Sequence, residues 1–236
     1  MGIQKLELLY EGKAKKVYKT NHSKQYIVTY KDDATAFNGE KKGTVLNKGV
    51  VNNQMSAILF QLLEEMGIEN HFIQLLNDRE MLVKSVEIIP LEVIIRNVSA
   101  GSMAKRLGLE EGIPLISSVL EFSYKNDELG DPLINDDHIE ILGLATKKEV
   151  EIIKYTSLKI NEILQQFFIT KSLKLIDLKL EFGRYEDKVI LADEISPDNC
   201  RLWDLKTNEK MDKDRFRRDL GNVEETYQEV LKRLNK

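Results

Sequence analysis

Residues 174–204 read KLIDLKLEFGRYEDKVILADEISPDNCRLWD. Taken with a period of two, Ile176, Leu178, Leu180 and Phe182 fall on one face, and Asp177, Lys179 and Glu181 on the other. After GRYEDK a second alternating run sets Ile190 and Ala192 against Val189, Leu191 and Asp193. Two short runs around a polar, Gly-containing connection predict a β-hairpin with a longer loop. Glu181 and Asp193 share parity, so one register puts both on one face in diagonal contact. Two carboxylates held that way repel unless a cation lies between them. Magnesium takes oxygen ligands and completes its shell with water and phosphates, so a carboxylate pair beside a lysine suits a Mg–nucleotide site. A solvated face or a surface ion-pair lattice has the same spacing. Behind the second run, Asp193, Glu194, Asp198 and Arg201 crowd into one short segment.

Three further stretches have the composition of binding sites. In YEGKAKKVY (10–18) a glycine turn lies between two β-like runs with Lys13 and Lys15 beside it, an arrangement suited to a polyphosphate. It lacks the P-loop spacing, and a plain hairpin with solvated lysines reads the same way. In IIPLEVIIRNVSAGS (88–102) an apolar strand delivers Arg96 to a helix opened by SAGS. The helix N–H groups and the arginine fork both favour phosphate or carboxylate, although a capped helix beside an arginine needs no ligand. EFSYKNDELGDPLINDDHI (121–139) is too rich in turn residues and charge for a core and reads as a loop, with Lys125 and Asp131 its residues of interest.

The remainder alternates strands and helices. KLELLY, KKVYKT and QYIVTYK are β-like, with KDDATAFNGEKKG (31–43) as polar punctuation, and a helix follows over about 47–66, its apolar face formed by Val50, Val51, Met55, Ile58, Leu59, Leu62 and Leu63. HFIQLL and EMLVKSVEIIPLEVIIRN are β-rich, with a break at Pro90 placed as a hinge between lobes. Thr146 and Glu149 form a capping box that opens a helix to about 170. Asp212 is placed to cap a short helix stopping at Gly221, before a last amphipathic helix.

The chain has 236 residues, 42 % of them hydrophobic, enough for one large domain or two small ones around a cleft. With 35 basic and 39 acidic residues its net charge is −4, so no global attraction to nucleic acid or membrane is expected. The N-terminus has no apolar stretch of signal-peptide type, and a cytoplasmic protein is expected. Cys200, the only cysteine, cannot form an intramolecular disulfide, and His22, His71 and His138 are too scattered for a zinc site.

In combination, LYEGKAKKVY, KDDATAFNGEKKG, IIPLEVIIRNVSAGS, LIDLKLEFG and DEISPDNCRLWD with MDKDRFRRDLG resemble the SAICAR synthetase family, in order and from about residue 8 to the C-terminal helix. Arg96-x-x-x-Ala-Gly-Ser and Asp177-x-Lys-x-Glu-Phe-Gly are the most specific blocks. The resemblance implies an α+β fold of two lobes around an ATP cleft, distantly similar to protein kinases and ATP-grasp enzymes. It divides the chain into a β-rich nucleotide lobe, 1–88, and a larger lobe, 89–236, with substrate and metal sites. The length matches the single-function bacterial form, expected as a homodimer. The implied reaction uses ATP, carboxyaminoimidazole ribonucleotide (CAIR) and L-aspartate to make SAICAR, ADP and phosphate, with Mg²⁺.

The resemblance implies residue roles as well. Lys179 lies over the transferring phosphate or the CAIR carboxylate with Asp177 orienting it, and Glu181 and Asp193 hold the metal under the ATP. Lys13 and Lys15 contact the nucleotide, with Lys84 and Val86 in the adenine-side hinge. Arg96, Ser102 and Arg201 take the ribonucleotide phosphate, and Lys125, Asp131, Asp198 and Arg217 line the CAIR and aspartate side. A kinase-like phosphotransferase with another acceptor shares the Mg–ATP floor, and a nucleotide sensor would bind without turnover.

Overall fold

The computed structural model describes residues 2–36 and 40–236. Phe37, Asn38 and Gly39 of the 31–43 stretch lie outside the described residues. The chain begins with β1 (Lys5–Glu11), β2 (Lys15–Thr20) and β3 (Gln25–Tyr30), then a small ribbon of β4 (Asp33–Ala36) and β5 (Lys41–Thr44). Helix α1 (Lys48–Glu65) follows, then β6 (Phe72–Asn77) and β7 (Glu80–Lys84), closing a five-stranded antiparallel sheet of order β1-β2-β3-β7-β6. Gly67 ends α1 in a left-handed conformation, φ 80°, with the Ile68 N–H returning to the Leu63 carbonyl.

The second sheet has β8 (Glu87–Val98), β9 (Pro114–Tyr124), β10 (Leu133–Ile134), β11 (Leu173–Tyr185), β12 (Lys188–Ala192) and β13 (Cys200–Asp204). Its spine is β11. One edge of β11 pairs β8, and the other is shared, its first half by β13 and its second by β12. Helix α2 (Gly101–Leu107) leaves β8, α3 (Asp136–Ile141) follows β10, and α4 (Lys147–Thr170) packs across β11. The Thr146–Glu149 capping box opens α4 as the spacing predicts. After α5 (Asp214–Arg217), α6 (Val223–Leu234) packs against α1, so the chain's C-terminal helix returns to its first. One apolar core runs through both sheets, from Val28 and Met81 to Val93, Leu180 and Leu164.

Four expectations change on contact with this fold. Ile176 is a bulge residue in the β11–β13 pairing, which shifts the alternation by one. Leu173 and Leu175 therefore join Leu178, Leu180 and Phe182 in the main core, while Ile176 packs with Val98, Ala100 and Trp203. Pro90 does not break its strand. The partners of β11 jump from Glu92 to Ile88 as β11 advances from Glu181 to Gly183, so Pro90 sits in a bulge where its missing N–H disturbs no ladder. The chain passes between sheets at Ser85–Val86 instead. The 121–139 stretch is partly regular, including the end of β9, a 3₁₀ turn at Asp127–Leu129, β10 and the start of α3. Finally, α5 starts after Lys213 and ends at Arg217, short of Gly221, although the Asp212 carboxylate does accept the Asp214 N–H at 2.7 Å.

Candidate active site

Strand register builds the first part of the site. Asp177 on β11 stands opposite Arg96 on β8 and opposite Arg201 on β13. Its carboxylate accepts Arg96 Nη1 at 3.1 Å and Arg201 Nη1 at 2.8 Å. Arg96, 2 % exposed, also donates to Glu121 at 2.7 Å and to the Ser102 hydroxyl at 3.1 Å. Arg201 donates through Nε to Asp214, which also takes Arg217. Burial opposes the charge on Arg201, but Asp177 and Asp214 outweigh it and raise its pKa further. For Asp214, burial favours the acid, yet Arg201 and Arg217 pull its pKa down to about 2. Gly101 is required beneath this network: its φ is 54°, and a Cβ there would lie 2.4 Å from Arg201 Nη2.

Four residues further along β11, two repeats of the pleat, Glu181 stands opposite Glu92. Two acids facing each other across a ladder repel. Lys179 resolves the conflict, with its ammonium 2.6 Å from Glu92 and 2.8 Å from Glu181. Burial works against that ammonium, but the two glutamates raise its pKa well above the usual lysine value. Glu181 also accepts Lys125 at 2.5 Å. The Asp177, Lys179, Glu181 face is thus a buried charge lattice and no solvated surface, since Asp177 is 4 % and Glu181 2 % exposed.

Asp193 arrives by a route that parity did not foresee. Glu181 pairs Ala192, so strict alternation would turn Asp193 away. Asp193 follows β12 with φ 63°, a left-handed step that redirects the chain. Its carboxylate meets Lys15 of β2, which also reaches Glu194 at 3.1 Å. Burial would raise the Asp193 pKa, but the charges of Lys15, Lys179 and Lys125 hold it far below the carboxylate range.

A polar cavity of about 300 Å³ connects the arginine network with Lys179 and Glu92, lined by Arg96, Ser102, Asp177, Lys179, Asp198, Arg201 and Arg217 among others; Lys15, Lys125, Glu181 and Asp193 do not line it. The remaining expected residues lie elsewhere. Lys13 forms an exposed pair with Asp127 at 2.7 Å. Lys84 donates to the Asn70 carbonyl, and Val86 lies against Gly183, where a Cβ would come within 2.7 Å of it. Asp131, at φ 50°, caps the Asn126 N–H at 2.8 Å and shapes the loop after Lys125; it does not line the cavity. Asp177 does not orient Lys179 as expected: among the described residues its side-chain partners are the two arginines.

Sequence reading missed Glu92, Asp214, Lys213, Lys48 and Tyr227. Glu92 was within reach, because it shares the parity of Arg96 on a strand already read as apolar. Lys48 had no signal: it opens α1, is 1 % exposed and bonds Asp198 across 150 positions of sequence. His71 is buried, and burial lowers its pKa to about 3, so it is neutral; His22 and His138 are exposed. Among the described residues no group of three or more His, Cys, Asp or Glu side chains could hold a metal. Nor is any helix among them long and apolar enough to cross a membrane.

The pattern of the SAICAR synthetases matches residues 8–234. The chain belongs to the SAICAR synthetase family. Phosphoribosylaminoimidazole-succinocarboxamide synthase of Thermoanaerobacter sp. (strain X514) is 62 % identical over 232 residues, 98 % of this chain and 99 % of its own. The crystal structure of the enzyme of that name from Ehrlichia chaffeensis aligns with TM-score 0.95 at 49 % identity, covering 97 % of this chain and 98 % of that one. A SAICAR synthetase in complex with ADP aligns with TM-score 0.93 at 47 % identity, covering 97 % of both chains. The α+β architecture is that of the SAICAR synthetases.

Proposed function

We infer that this SAICAR synthetase is an ATP-dependent ligase of purine biosynthesis, joining L-aspartate to the carboxylate of CAIR and yielding SAICAR, ADP and phosphate. The observation that carries the reading is one cavity with a fixed arginine cluster at one end and a lysine–carboxylate lattice at the other. A carboxylate is a poor acyl donor, so the reading includes an acyl phosphate. A CAIR carboxylate oxygen attacks the γ-phosphorus and the bond to ADP breaks. The aspartate amine then forms the C–N bond, loses a proton, and phosphate leaves. Such transfer needs positioning and charge neutralisation more than covalent help.

Arg96, Ser102 and Arg201 are proposed to hold the ribonucleotide phosphate. The planar forks, already oriented by Asp177, Glu121 and Asp214, suit a bidentate anion. Lys179 keeps its ammonium over the transferring phosphoryl group, and Lys15 and Lys13 serve the nucleotide, with Lys84 and Val86 in the connector beside it. Lys125, Asp198 and Arg217 serve the CAIR and aspartate side, with Asp131 shaping the loop of Lys125.

Mg²⁺ is proposed to accompany ATP. The donors fit: Glu181 and Asp193 are hard oxygen ligands whose charge lysines now balance, and magnesium ordinarily needs only one or two carboxylates beside water and phosphates. When bound, the ion supplies charge stabilisation for the transferring phosphoryl group. The reading also takes the protein as a cytoplasmic homodimer. Residues 1–88 form its nucleotide lobe and residues 89–236 its substrate lobe, in keeping with a first sheet that ends at Lys84 and a second that begins at Glu87.

Following ADP release with each substrate omitted in turn tests this. Sustained release should need ATP, CAIR and aspartate together. Sustained release without aspartate would overturn the ligase reading in favour of a kinase-like phosphotransferase.

A further inference from the structure

Lys48 is a lysine with almost no contact with water, and the Asp198 carboxylate, 2.7 Å away at Oδ2, is its side-chain partner. The second oxygen, Oδ1, accepts the Tyr227 hydroxyl at 2.8 Å. Tyr227 comes from α6 and is 1 % exposed. Neither Lys48 nor Tyr227 lines the cavity, whereas Asp198 does. The carboxylate is therefore gripped from behind on both oxygens by two packed helices, whose side chains Val51, Tyr227 and Leu231 form a cluster of their own. A carboxylate has about four acceptor positions, so two remain for the cavity side.

The other cavity acids are paired with cations of the cavity lining itself. Asp177 takes Arg96 and Arg201, and Glu92 takes Lys179 at 2.6 Å. After Lys48, the next cation to Asp198 among the described residues is Lys213 of the cavity lining, at 3.7 Å, too long for a hydrogen bond. Burial lowers the proton affinity of Lys213 against the opposing charge of Asp198, with Arg217 and Lys48 adding to the lowering. Asp198 is thus the cavity acid held on both oxygens by groups outside the cavity lining, with acceptor positions left on the cavity side.

We propose that Lys48 and Tyr227 are positioning residues for the ligation, holding Asp198 from behind so that its free lone pairs receive the amino group of the amino-acid substrate. This rests on the ligase reading above. The alternative is a buried ion pair that only fastens α1 and α6 to the turn before β13.

Steady-state kinetics of Tyr227→Phe and Lys48→Met, each alone and combined with Asp198→Asn, separate the two. Tyr227→Phe keeps the ring and its packing, which protects the test should Lys48→Met fail to fold. The expected result is a rise of about tenfold in KM for aspartate, with KM for ATP and CAIR changed less than twofold. Tyr227→Phe should add nothing once Asp198 is Asn. Equal losses for all three substrates, full additivity with Asp198→Asn, or no change in KM for aspartate would overturn the proposal. A wild-type enzyme that releases ADP without aspartate would overturn the ligase reading itself, and is told apart because it needs no variant.

Discussion

The two ends of the cavity hold charge in different ways. At the arginine end, Arg96, Asp177 and Arg201 are cross-strand neighbours on three adjacent strands, so the hydrogen-bond ladder itself sets their spacing. Planar forks, a glycine beneath Arg201 and shared carboxylates leave little freedom. At the lysine end, the contacts join different parts of the chain. Beyond the cavity lining, Lys15 comes from the first sheet to meet Asp193 after β12, and Lys13 reaches Asp127 in an exposed loop. Ammonium groups on flexible stems lack the planar fork, so their contacts can be exchanged. A fixed site suits an anion that must be held in one place while chemistry proceeds nearby. An exchangeable lattice suits a nucleotide, whose phosphates can take the lysines while its metal takes the carboxylates.

If the arginine end is the rigid one, breaking it should cost the most. Asp177→Asn leaves Arg96 and Arg201 side by side with one neutral partner. Removing one member of a buried ionic cluster costs about 3–5 kcal/mol. A fall in melting temperature on the order of 10 °C should follow in differential scanning calorimetry. A fall of a degree or two would mean that the cluster is adjustable after all.

Arg96→Lys should divide the two ends more sharply. It keeps the charge and loses the fork, so CAIR affinity should drop about tenfold or more while ADP affinity stays nearly the same. Titration calorimetry with each ligand checks this, and equal losses would place Arg96 in the wrong site.

The smallest effect is expected outside both regions. Glu149 caps α4 and pairs Arg184, whose guanidinium, helped by the Thr146 N–H, lowers its pKa from 4.5 to about 2 against the opposing effect of burial. A depressed carboxylate pKa contributes stability that is complete above pH 4.5 and lost as pH falls through about 2. Glu149→Gln should cost about 1 kcal/mol at neutral pH. The gap in melting temperature between it and wild type should close between pH 5 and pH 2. A gap independent of pH would assign the effect to packing.

The helices and hairpin strands were legible because their signals are local. The Thr146–Glu149 box and the apolar spacing of α1 depend on a few residues each. The alternation of Asp177, Lys179 and Glu181 likewise marked the charged face. What alternation could not supply was register. Whether Asp193 joins Glu181 depends on a left-handed residue after the strand, and the place of Ile176 on a bulge made with β13. Lys48 and Tyr227 are legible only in three dimensions. Nothing near either in sequence distinguishes a lysine buried on Asp198 from any other at a helix start.

Glu181 is the carboxylate that must pass from lysines to a magnesium–nucleotide. Glu181→Gln keeps the shape and leaves Lys179 its bond to Glu92. The direct test measures the melting shift caused by ATP, with and without Mg²⁺, in wild type and variant. Wild type should show a shift that magnesium enlarges, whereas the variant should show a small shift that magnesium leaves unchanged, with turnover at least about a hundredfold lower. A variant with normal turnover and a full magnesium-dependent shift would contradict the account.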